Sequence, residues 1–72
     1  MSKTTLFDEG IKALQAGRAA EARSEFRASL DAGEDSAQVW LGFALACVMQ
    51  GDLAAAETGI DEVLAREGKN LR

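Results

Sequence analysis

Seventy-two residues at a formal net charge of -4 describe one small domain, because natural domains run to about 100 residues or more and seldom divide below that. One cysteine and no histidine leave the chain without an internal disulfide, the commonest metal ligand or the usual neutral-pH proton shuttle. The excess of 12 acidic over 8 basic side chains, with no basic stripe interleaved with aromatics, argues against a nucleic-acid partner.

The absence of proline, the 47% hydrophobic content and the 14 alanines favour an all-α fold. The first predicted helix runs from about Thr5 to Ala16, with Thr5 and Asp8 spaced as N-cap and N3 carboxylate, and stops at Gly17. The second runs from about Ala19 to Ala32 and stops at Gly33. Asp35 or Ser36 then caps a third helix to about Gln50, with Gln38 in capping-box register to Asp35, and Gly51 ends it. Asp52 caps the fourth, Leu53 to about Glu67, which Gly68 closes. Links this short make successive helices antiparallel neighbours, so the local unit is a helical hairpin.

The two hairpins are related by an offset of 34 residues. That step aligns Gly17 with Gly51, Ala20 with Ala54, Ala22 with Ala56 and Leu30 with Leu64 as identities. It pairs Leu6 with Trp40, Gly10 with Ala44, Ile11 with Leu45, Leu14 with Val48 and Phe26 with Ile60 in similar packing roles. The small residues Gly10, Ala22, Ala44 and Ala56 suit close approach within a hairpin, while Phe26, Leu30, Trp40, Ile60 and Leu64 fill volume between hairpins.

The second unit carries Trp40, Phe43, Ala44 and Cys47, then Ala56 and Ile60; the first carries Leu6, Glu9, Gly10 and Ala13, then Ala22 and Phe26. With its period and two helices per unit, this pattern resembles the tetratricopeptide repeat over about residues 4–70. Glu34 and Gly68 stand where that family often has a proline, and Glu9 replaces a core aliphatic. The resemblance implies two antiparallel hairpins stacked as a right-handed α-solenoid. Residues 1–72 are then a single domain, with repeat 1 at about 3–36, repeat 2 at about 37–70 and the start of a third at 71–72.

In tetratricopeptide proteins ligand contacts come from the first helix of each repeat. Carried over, these positions are Thr4, Phe7, Ile11, Leu14 and Gln15, then Gln38, Leu41, Leu45, Val48 and Met49. Most are apolar, which disfavours the lysine- and asparagine-based clamp that some repeats use on a C-terminal carboxylate. Helix Val39 to Met49 is apolar almost all round, as expected when both of its sides are covered. The inferred partner is a protein or peptide with an apolar helix, docked in the concave groove. Solenoid ends normally need a polar capping face. The expectation for Ile60, Val63 and Leu64 is therefore self-association as a homodimer, or contact with further repeats.

Cys47 occupies a core position with no base to activate it, so it reads as inert packing. The carboxylate pairs Asp8/Glu9, Glu34/Asp35 and Asp61/Glu62 are adjacent in sequence and diverge by about 100° on a helix, which leaves no shared acid/base site. Neither an enzyme activity nor a cofactor is expected. The longest apolar stretch, Val39 to Met49, is well short of the roughly 20 residues that span a bilayer. The start MSKTTLFDEG has neither an apolar h-region nor an arginine-rich transit pattern, and with the free cysteine this gives the expectation of a cytoplasmic protein with no membrane contact.

The functional expectation is a non-catalytic scaffold or chaperone-like module; by resemblance, bacterial secretion chaperones of this repeat class hold hydrophobic export segments in such a groove. The competing reading is an N-terminal segment of a larger enzyme. The run from Leu41 to Arg72 looks like repeats that precede the catalytic domain in some aspartyl/asparaginyl hydroxylase-type oxygenases and sulfotransferases, although none of their catalytic residues occurs in it.

Overall fold

The computed structural model describes residues 6–67, and among them it forms four α-helices and no strand. These are α1 (Leu6–Gln15), α2 (Ala19–Asp31), α3 (Ala37–Met49) and α4 (Leu53–Glu67). The expectations for Thr4, Thr5, Gly68 and residues 69–72 fall outside the described residues.

The three described turns share one stop signal. Gly17, Gly33 and Gly51 have φ of +79°, +97° and +80°, a left-handed conformation that costs glycine little. Each turn then closes by the same pair of bonds. The N–H groups of Gly17 and Arg18 donate to the carbonyls of Leu14 and Ala13; those of Gly33 and Glu34 to Leu30 and Ser29; those of Gly51 and Asp52 to Val48 and Cys47. These are Schellman closures, which satisfy carbonyls that the helix end would otherwise orphan.

Helix starts differ more. Ser36 caps α3, its hydroxyl accepting from the Val39 N–H at 3.3 Å, and Asp52 caps α4 by accepting from the Ala55 N–H at 3.3 Å. Asp35 is not the cap, so the register between Asp35 and Gln38 forms no capping box. Its carboxylate instead accepts from the Trp40 indole N–H at 2.7 Å and from the Arg66 guanidinium. Arg18 stands at the N-cap of α2 and makes no side-chain cap bond.

The helices form two antiparallel hairpins, α1 with α2 and α3 with α4, and α2 packs on α3 to join them. Phe26 is fully buried at that junction, a burial that contributes about 2 to 3 kcal/mol. It meets Phe7 edge to face, ring centroids 5.8 Å apart, and presses on glycines from two helices. A Cβ built on Gly10 or Gly42 would fall 2.8 Å or 2.5 Å from its ring. At the α3–α4 contact a Cβ on Gly59 would fall 2.9 Å from the Ala44 Cβ. Ala13, Ala22, Val39, Phe43, Ala46, Cys47 and Ala56 complete the core, with Leu30 and Trp40 partly buried against it. Ile60 and Leu64 do not fill a space between hairpins among the described residues; both are exposed.

Two polar links tie turns to the frame. The buried Ser29 hydroxyl donates to Glu34 at 2.6 Å across the α2–α3 turn. Arg23 pairs with Asp52 at 3.0 Å, donates to Gln50 at 3.1 Å and lies 5.6 Å from the Phe43 ring centre, linking the first hairpin to the turn of the second.

Candidate protein-binding groove

Helix α3, AQVWLGFALACVM, carries no charged residue. Val39, Gly42, Phe43, Ala44, Ala46 and Cys47 are buried in the frame. Leu41, Leu45, Val48 and Met49 are each 47–49% exposed, so the apolar residues left over form a surface.

Between α1 and α3 that surface becomes a groove of about 210 Å³ lined by Phe7, Ile11, Leu14, Gln38, Leu41, Gly42 and Leu45. Its floor depends on Gly42, where the missing side chain admits the Phe26 ring from below. Its wall on α1 is Phe7, Ile11 and Leu14, spaced four and three residues apart and so on one helix face. Among the described lining residues Gln38 alone supplies a side-chain hydrogen-bonding group. Among the described residues no lysine or arginine lines it, so they supply no cation to hold a terminal carboxylate.

The structure thus brings together six of the residues expected at the groove, Phe7, Ile11, Leu14, Gln38, Leu41 and Leu45. Gln15 and Met49, at the last positions of α1 and α3, are exposed and do not line it. Val48 turns elsewhere. Three residues beyond Leu45 it points about 60° back round the helix, toward α4, where it borders a shallow depression with Leu53, Ala54, Ala56, Glu57 and Ile60. Gly42 also lines the groove, although it is not among the residues expected to form it. The available signal was its place inside a helix, where glycine costs about 1 kcal/mol against alanine and so needs a packing reason.

The outer face of α4 is the second apolar surface. Ile60 and Leu64 are 44% and 62% exposed, Val63 is half-buried, and Leu53, at the helix start, is 67% exposed. Cys47 is fully buried, and burial pushes its thiol above the ordinary value. A thiol held protonated in this way is a poor nucleophile. Among the described residues no group of three or more His, Cys, Asp or Glu side chains is placed to hold a metal, and no helix is long and apolar enough to cross a membrane.

These features, helical hairpins closed by glycine turns and stacked to leave an apolar groove along their first helices, define a helical-repeat protein. The tetratricopeptide repeat model matches residues 13–72, and the chain belongs to that family. Comparison with curated proteins and with solved structures finds no match. Tetratricopeptide repeats generally mediate protein–protein interaction and are typically non-catalytic.

Proposed function

We propose that this chain is a non-catalytic, scaffold- or chaperone-like module that receives an apolar helical segment of another protein in the α1–α3 groove. The observation that carries this reading is the groove's composition: among the described residues five large apolar side chains, one glutamine and no charged group line a concavity between two parallel-running first helices. An amphipathic helix laying residues i, i+3, i+4 and i+7 into such a groove buries apolar area on both sides, while Gln38 offers one directional contact. Free Cys47 fits a reducing compartment, and the cytoplasm is the proposed location.

The test is selection of helical peptides from a displayed library against the 72-residue chain, with the Leu41→Glu, Leu45→Glu double variant as counter-target. Enriched sequences should carry apolar residues at one-face helical spacing and lose binding to the variant while its far-UV helicity is retained. Enrichment of peptides that bind the variant equally well, or no enrichment at all, overturns the proposal.

A further inference from the structure

The α4 face differs from the groove in one respect that specifies its partner: it is acidic as well as apolar. Leu53, Ile60 and Leu64 lie within about 40° of one another round the helix, and Glu57 and Asp61 flank them along one edge. Helix α4 carries four carboxylates, Glu57, Asp61, Glu62 and Glu67, against one cation, Arg66. That cation is turned inward, bonded to Glu62 and to Asp35 and stacked 5.5 Å from the Trp40 ring centre. Among the described residues neither Glu57 nor Asp61 has an ion-pair partner. Four residues apart, they repel one another on the same face.

We infer that the Leu53–Ile60–Leu64 face of α4 docks a basic amphipathic helix of another protein, one that interleaves lysine or arginine with apolar residues. The depression bordered by Val48, Ala54, Ala56 and Ile60, about 500 Å³, takes an apolar side chain of that helix, and Glu57 on its rim and Asp61 one turn further take its cations. Charge also argues against a second copy of this chain as occupant. An antiparallel two-fold pairing of α4 faces would bring the acidic edges of the two copies, each with Glu57 and Asp61, onto the same side of the interface. Among the described residues, Arg23 is held by Asp52 and Arg66 by Asp35 and Glu62, while Arg18 and Arg27 make exposed pairs with Glu21 and Asp31. This surface is separate from the α1–α3 groove, so the inference stands or falls independently of the proposed function.

Two synthetic helices of about 18 residues with identical leucine stripes, one flanked by lysines and one by glutamates, test it by titration against the full chain. The lysine helix should bind about tenfold or more tightly, and its affinity should fall as salt rises from about 50 to 500 mM. Glu57→Gln with Asp61→Asn should erase the preference with helicity unchanged, and Leu41→Glu with Leu45→Glu should leave it intact. Four results overturn the inference: equal binding of the two helices, no binding of either, a preference that survives Glu57→Gln with Asp61→Asn, or a peptide-free dimer in sedimentation that Leu64→Glu dissociates.

Discussion

Phe26 occupies the space that a side chain on Gly42 would need: the nearest ring atom lies 2.5 Å from where a Cβ would stand. The ring cannot retreat, because Gly10 on α1 presses on it at 2.8 Å from its own missing Cβ. Gly42→Ala gains about 1 kcal/mol of helix propensity, but overpacking a clamped ring costs about 1 to 3 kcal/mol. With contact this close, the upper end of that range applies. The expected outcome is a net loss of about 1 to 2 kcal/mol in urea denaturation. Phe26→Leu introduced into the Gly42→Ala background should be tolerated better than in the wild-type chain. A Gly42→Ala chain as stable as wild type would show that α2 and α3 can part without penalty.

Helix limits were legible because each described stop is a glycine that a Schellman closure requires, and the closure is local. Capping at α3 was only half legible: Asp35 and Ser36 are equivalent by local spacing. What separates them is Arg66, 31 residues further along the chain, which draws Asp35 away with Trp40. The groove was legible where helical spacing alone puts residues on one face, as for Phe7, Ile11 and Leu14. It was not legible at Val48, whose direction depends on where α4 leaves the turn at Gly51. Leu53 escaped notice on the α4 face because its helix-start position looks like a boundary rather than part of a stripe.

Equivalent turns in the two hairpins differ at a single capping position. Gly51 is followed by Asp52, which caps α4, whereas Gly17 is followed by Arg18, which makes no cap bond and pairs only with exposed Glu21 at 3.2 Å. An exposed pair of this kind contributes well under about 1 kcal/mol, and an added N-cap contributes about 1 kcal/mol. Arg18→Asp should therefore stabilise the chain on balance, raising Tm by roughly 2 to 6 °C for a domain of this size. Arg18→Ala, which removes the ion pair and adds no cap, should leave Tm the same or slightly lower. A rise with alanine equal to that with aspartate would trace the effect to charge rather than to capping.

Cys47 reports opening of the frame. Its side chain is fully buried and its thiol is pushed up by burial, so a thiol reagent reaches it only when α3 parts from its neighbours. With the few kcal/mol of stability that small chains have, native labelling by Ellman's reagent should be slower than in urea-unfolded protein by about 100-fold or more. Gly42→Ala should narrow that ratio in step with its loss of stability. Labelling at the unfolded rate in native buffer would contradict the burial of this residue.

The Asp35, Trp40 and Arg66 contact gives folding a defined acid dependence. The Trp40 N–H bond first, and then the Arg66 bond and charge, hold the Asp35 carboxyl below its ordinary value. The Glu62 and Asp35 carboxylates in turn favour the charged form of Arg66. A carboxyl whose folded pKa is depressed contributes stability above its unfolded value, about 3.9, and that contribution is lost as pH falls through the folded pKa. Asp35→Asn should therefore lower the urea midpoint at pH 6 to 7, with the gap to wild type closing as pH is lowered from about 5 toward 3. Asparagine can still accept from the Trp40 N–H but cannot pair with Arg66. If the hydrogen bond alone mattered, the variant would match wild type at every pH. The single tryptophan of the chain is itself part of the contact, so its fluorescence follows both the unfolding and the local change. A midpoint difference that stays constant from pH 7 to pH 3 would mean that the carboxylate charge contributes nothing and that Asp35 acts by shape alone.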